Sequence, residues 1–240
     1  MDLNSKKELI TEEKHDFHSL VSVMAALRGE GGCPWDMEQT HASTRKCLIE
    51  ETYEVVEAID KNDPELLCEE LGDLMFQVVF HAQIEAEENR FDISDVIQGI
   101  THKMIVRHPH VFADTKADTS DEVIVNWDNI KKEEKQLTAP SDILRRIPPF
   151  MPGLMRAQKV QGKALKKFDY GTRSESDGWD KVGISLEKCK NGDDSAFADL
   201  LFALSSIAEM KGIDLEEGLS KKTEDFICSF EDSENAEHLK

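Results

Sequence analysis

The sequence has no apolar run approaching membrane-spanning length, and its first residues are charged rather than hydrophobic. It therefore reads as a cytoplasmic protein. Its five cysteines (Cys33, Cys47, Cys68, Cys189 and Cys228) are scattered, odd in number and without a C-x-x-C pair. That excludes a disulfide framework and a cysteine-built zinc site, and it suits a reducing compartment. Basic side chains are outnumbered 29 to 49, leaving a formal charge of −20. Such a field repels DNA, RNA and anionic membranes, so neither nucleic acid nor membrane is an expected partner. A bare polyphosphate is repelled equally, unless a divalent cation accompanies it.

Acidic residues are abundant, and their placement is not uniform. Glu50, Glu51, Glu54 and Glu57 fall within about a 120° arc of one helix. After a break at Lys61-Asn62-Asp63-Pro64, Glu70 and Asp73 sit one turn apart beside the apolar stripe of Leu67, Leu71, Leu74 and Val78. Two antiparallel helices joined by so short a turn would point these groups at one another. Carboxylates converging in one cleft must protonate, spread apart or take up a cation, and hard oxygen donors suit Mg²⁺ or Mn²⁺. On spacing alone, the first arc reads equally as the wet face of an amphipathic helix.

In chain order, the apolar pattern of Asp16–Arg28 predicts a first helix, and Gly29–Asp36, with three glycines and a proline, predicts a loop. Cys33 and Trp35 are read as anchors buried under that loop. Helices follow from about Ser43 to Asp60, from the Asp63-Pro64 start signal to about Glu88, and from the Asp92…Asp95 capping box to Arg107. A loop over His108–Asp121 carries two histidines, read as structural, and a further helix runs from about Ser120 to Lys135. Four of the seven prolines fall in Thr138–Pro152, which reads as a linker. The division is then 1–136 for a first domain, 137–152 for the linker and 153–240 for a second domain.

The carboxylate pattern Glu50-Glu51-x-x-Glu54…Glu70-x-x-Asp73 resembles the signature of the MazG nucleoside triphosphate pyrophosphohydrolases. Gly32-Cys33-Pro34-Trp35-Asp36, Leu71-Gly72-Asp73-Leu74, Arg107-His108-Pro109-His110-Val111-Phe112 and Trp127-Asp128-Asn129-Ile130-Lys131 are similar to that family as well. The resemblance spans about Leu20–Lys135 and resumes more weakly from Leu154. It implies an all-α, MazG-like helical bundle and Mg²⁺-dependent hydrolysis of (d)NTP to (d)NMP and pyrophosphate. It also implies broad base tolerance and a nucleotide housecleaning role. Glu51, Glu54, Glu70 and Asp73 are the expected metal ligands, and Glu50, on the same helix face, is placed to orient or deprotonate water. The resemblance brings Lys103 to the phosphates, with Arg107 one turn away. Trp127 and Lys131 are an aromatic–lysine pair able to stack a base and hold its phosphates, and Trp35 is a secondary candidate near the substrate. A two-helix carboxylate hairpin leaves an apolar face uncovered, so a homodimer completing a four-helix core is expected.

The second half repeats the first. Asp199-Leu200-Leu201-Phe202 echoes Asp73-Leu74-Met75-Phe76, and Ile213-Asp214-Leu215-Glu216-Glu217 echoes Phe91-Asp92-Ile93-Ser94-Asp95. Its chemistry has largely gone. Ile184, Ser185 and Lys188 stand where the acidic triplet belongs, Ala196 replaces Glu70, and Asp225 lies near the Lys103 position. Only Asp199 survives, so residues 150–240 read as a degenerate copy kept for packing or dimerisation. Two readings from other classes compete with this one. A di-iron bundle needs two Glu-x-x-His pairs; Glu12…His15 and Glu38…His41 have that spacing but lie in a charged tail and after the Pro34 loop. A non-enzymatic acidic helical adaptor is the remaining alternative.

Overall fold

The computed structural model describes residues 14–113, 115–117, 119–120, 122–123, 126–127, 130 and 139–238, except the side chains of 235–238. Among them there is no strand, as the helical periodicity requires. The chain divides into two compact units, Met1–Lys131 and Lys132–Lys240.

In the first unit, α1 (Phe17–Arg28) opens on an Asp16–Ser19 capping box and packs against α4. The short helix α2 (Pro34–Glu38) occupies part of the stretch expected to be a loop. Pro34 supplies a preset φ at the first helical position, and Arg28 donates to the carbonyls of Asp36 (2.5 Å) and Gln39 (3.1 Å) at the end of the turn. Gly32 is required just before it, because a Cβ there would lie 2.2 Å from the Leu27 carbonyl oxygen. Then come α3 (His41–Lys61), α4 (Pro64–Glu87), α5 (Ile93–Arg107) and a one-turn α6 (Pro109–Phe112), the last inside another expected loop. The α3 start lies two residues earlier than expected, because Thr40 and Ser43 form a reciprocal cap that the sequence reading passed over. The core is Met24, Val79 and Phe80, with Leu20, Val21, Phe76, Ile84 and Ile93 packed around it. The helix expected over Ser120–Lys135 falls largely outside the described residues, and Lys131 lies wholly outside them.

In the second unit, α7 (Pro140–Arg145) is a short helix within the expected linker. It is followed by α8 (Gly153–Phe168), α9 (Glu175–Lys190), α10 (Ala196–Lys211) and α11 (Leu215–His238). α9 and α10 form a hairpin, and α8 lies against α10. Buried Gln158 ties α8 to the turn before α11, donating to the Ile213 carbonyl (2.7 Å) and accepting from Leu215 N (3.0 Å). The α9–α10 approach depends on Gly178, where a Cβ would meet Ile207 Cγ1 at 2.6 Å. Ile207 is itself buried and cannot swing away. Gly178→Ala is therefore expected to destabilise the second unit by about 1–2 kcal/mol, overpacking outweighing the gain in helix propensity. At Gly162 the clash is with the Glu209 side chain, which can move, so Gly162→Ala is expected to be near neutral. Chemical denaturation of both variants checks the contrast.

Candidate metal and phosphate site

The α3–α4 hairpin is set by its turn. Asn62 adopts a left-handed conformation (φ 52°) that ends α3, with Asp63 N donating to the Ala58 carbonyl at 3.1 Å. The Asp63 carboxylate then caps α4 by accepting from Glu65 N and Leu66 N, both at 3.1 Å, and Pro64 takes the first helical position. So tight a reversal forces α3 and α4 antiparallel in fixed register, and that register sets Glu51 opposite Glu70 and Asp73. One carboxylate oxygen from each of these three lies within 4.8 Å of the other two.

Glu54 completes the group electrostatically. The Glu51 carboxyl is raised above its ordinary pKa by burial, by a hydrogen bond with Glu54, and by the charges of Asp73, Glu54 and Glu70. Glu70 is raised by burial and by the charges of Glu54, Glu69, Asp73 and Glu57. Two glutamates pushed upward by one another's neighbours mark a cleft with excess negative charge. The donor set is all oxygen, with no thiolate or imidazole, which fits a hard divalent cation.

The remaining predicted residues are distributed differently. Glu50 stands outside the group, exposed and paired with Lys46 at 3.3 Å. Lys103 is exposed on α5. Arg107, at the end of the same helix, is buried, with its guanidinium 5.3 Å from the centre of the Trp127 ring. His108 packs edge-on against Trp127 at 4.9 Å between centroids and donates from Nδ1 to the Met104 carbonyl (2.6 Å). Trp127 is thus held between a cation and an imidazole. Trp35, expected to be buried, is 61% exposed. The short helix α2 lifts it outward, and the segment is anchored instead by Arg28.

Two networks escaped the sequence reading. Arg28 makes a bidentate pair with Glu87 (2.8 Å to each oxygen) while lying over the Phe80 ring. Along α4, the row Asp73, Gln77, His81, Glu85 repeats every four residues and so lies on one face. At its far end His41 Nδ1 meets His81 Nδ1 at 2.7 Å, and His41 Nε2 donates to Glu85 at 2.5 Å. Arg90 also holds Glu85, whose pKa is lowered to about 2, chiefly by that guanidinium. The four-residue polar period within an apolar helix was the available signal.

The sequence profile of the MazG nucleotide pyrophosphohydrolase domain matches residues 39–112, which contain the whole hairpin. The chain is 41% identical to a nucleoside triphosphate pyrophosphohydrolase of Escherichia coli (strain K12), over 90% of this chain and 86% of that protein. It is 38% identical to the nucleoside triphosphate pyrophosphohydrolase/pyrophosphatase MazG of Thermotoga maritima, over 91% of this chain and 85% of that one. It is also 43% identical to the uncharacterised protein YabN of Bacillus subtilis (strain 168) over 92% of its own length, but spans only 47% of that protein.

Proposed function

The chain belongs to the MazG family of nucleotide pyrophosphohydrolases, and from that premise we propose that it hydrolyses nucleoside triphosphates to the monophosphate and pyrophosphate. The observation that carries this reading is the convergence of the Glu51, Glu70 and Asp73 oxygens, with Glu54 beside them. These four side chains would hold a divalent cation, Mg²⁺ or in its place Mn²⁺. When bound, the ion neutralises the triphosphate and lowers the pKa of water.

The chain's own groups do the rest. Glu50 accepts the proton of the attacking water, and its exposed pair with Lys46 is weak enough to be exchanged. Water oxygen bonds to the α-phosphorus as the bridging bond to the β-phosphorus breaks, and Lys103 carries charge on the departing pyrophosphate. Arg107 fixes the Trp127 ring, and the base stacks on that ring with Lys131 beside its phosphates. Stacking discriminates poorly between bases, which supports broad specificity and a housecleaning role.

A homodimer accounts for Tyr53, Val56 and Ile59 of α3 and Leu71, Met75 and Val78 of α4, large apolar side chains left exposed on the hairpin. No helix of the described residues is long and apolar enough to cross a membrane. Together with the charge of −20 and the unpatterned cysteines, this supports a cytoplasmic enzyme that avoids nucleic acid. The deciding experiment is a screen of the ribo- and deoxyribonucleoside triphosphates for pyrophosphate release, with Mg²⁺ and with a chelator. Release from several bases, lost on chelation, is expected. Phosphate instead of pyrophosphate, or no turnover at all, would sink the reading and favour the adaptor role.

A further inference from the structure

The second unit keeps the architecture of the first and replaces its chemistry, and a cavity opens where the counterparts of Glu51 and Asp73 stand. The α9–α10 hairpin stands to α8 as α3–α4 stands to α1. Aligned on Asp73-Leu74-Met75-Phe76, and with the hairpin turn eight residues shorter, the positions of Glu50, Glu51, Glu54, Glu70, Asp73 and Phe76 are held by Ile184, Ser185, Lys188, Ala196, Asp199 and Phe202. Ile184, Ser185, Asp199 and Phe202 line one cavity of about 750 Å³, within the range of small-ligand sites, while Lys188 is exposed outside it and Ala196 is buried. At the Glu51 position the acid has therefore gone without the space being filled, and Asp169 and Asp199 are the carboxylates left in the lining.

Its remaining groups are of three kinds. Lys181 and Arg173 bring positive charge to the wall. Lys181 is held by half-exposed Asp177 (2.9 Å) and buried Thr172 (3.3 Å), and Arg173 by the largely exposed Asp169 carboxylate (3.4 Å). Pairs of that kind are worth little in water and yield to a better anion. Asp199 has no ion-pair or hydrogen-bond partner among the described residues, so its carboxylate is available to accept from hydroxyl groups. Tyr170 is 74% exposed, carried in a turn whose neighbours Asp169 and Gly171 both have positive φ (48° and 111°), and with Phe202 it offers aromatic surface.

From this placement we infer that the second unit is a metal-free binding site for a nucleoside monophosphate, its phosphate on Lys181 and Arg173, its ribose hydroxyls on Asp199 and its base against Tyr170 and Phe202. A metal–triphosphate does not suit it, because only Asp199 remains of the four ligand positions and Asp169, the other acid of the lining, pairs with Arg173. Pyrophosphate does not suit it either, because the aromatic and apolar wall would face water. The choice of ligand rests on the triphosphate reading of the first unit, whose reaction would release that monophosphate. The cavity thus gives the degenerate repeat a binding role beyond packing.

The test uses the full chain in excess EDTA, titrated calorimetrically with the ribo- and deoxyribonucleoside 5′-monophosphates. Saturable binding at one site per chain is expected. It should weaken at least about tenfold in the Lys181→Met, Arg173→Met double variant and stay unchanged in Asp73→Asn. Thermal melts check that the variants fold. Should the double variant unfold the unit, Tyr170→Ala, at an exposed position, is expected to weaken binding by about the same factor. No saturable binding at millimolar nucleotide would overturn the proposal, as would binding that survives all these second-unit changes or is lost in Asp73→Asn. Pyrophosphate release measured on the same preparation with Mg²⁺ separates the two readings. Release without EDTA-resistant binding removes only the second-unit site, and binding without release removes only the first-unit activity.

Discussion

Glu51→Gln, Glu54→Gln and Asp73→Asn are each expected to lower kcat/KM for pyrophosphate release by about 10³-fold, some 4 kcal/mol of barrier. Each exchange keeps the shape of the side chain and removes one negative oxygen donor from the group formed by Glu51, Glu70 and Asp73 with Glu54. The loss should lie in both the metal requirement and turnover, so raising Mg²⁺ restores part of the rate and never all of it. Folding should be intact, since none of the three side chains belongs to the Met24, Val79, Phe80 core. Glu50→Gln should differ in kind. Glu50 lies outside the group, so its loss would lower kcat and alter the acid limb of the pH–rate profile while leaving the metal concentration for half-activation unchanged. Normal turnover in Glu54→Gln, with circular dichroism unchanged, would exclude Glu54 as a ligand.

How much of this was legible in the sequence depends on the range of the interaction. The hairpin was readable because its causes are local. Asp63-Pro64 starts a helix by capping, and the Glu51/Glu54 and Glu70/Asp73 periods fix faces. Once the turn is known to be tight, the convergence of those faces follows. The short helices at Pro34 and Pro109 were missed because proline reads first as a breaker, although at the first helical position it starts a turn. Arg28 and Glu87 are 59 residues apart, and His41 and His81 are 40 apart. Nothing local to either partner names the other. The second-unit cavity was invisible for a related reason. Sequence shows that Ser185 and Ala196 lack carboxylates, but only coordinates show whether neighbouring side chains have closed over the gap.

Removing the metal should expose a conflict between activity and stability in the first unit. In EDTA at neutral pH, Glu51→Gln and Glu70→Gln are expected to unfold at a higher temperature than the unsubstituted protein, although Glu51→Gln is expected to be nearly inactive. The reason is the direction of the shifts: Glu51 and Glu70 are both raised by burial and by neighbouring carboxylates. A carboxyl whose folded pKa exceeds its unfolded pKa opposes folding when ionised. That opposition is full above the folded pKa and is relieved as pH falls through it toward the unfolded value near 4.5. Glu85 and Glu87 act in the opposite direction, because Arg90 and Arg28 hold them below that value. Their support is present above about 4.5 and is lost as pH falls toward about 2 for Glu85. The metal-free protein should therefore gain stability on mild acidification and lose it on further acidification. Free Mg²⁺ a hundredfold above its dissociation constant adds about 2.7 kcal/mol to the unsubstituted protein, roughly 10 °C in melting temperature for a unit of this size. Glu51→Gln should show little of that gain, so the two melting curves are expected to cross in rank between EDTA and Mg²⁺. A Glu51→Gln variant less stable than the unsubstituted protein in EDTA would mean that these carboxylates are stabilised by something other than a divalent ion.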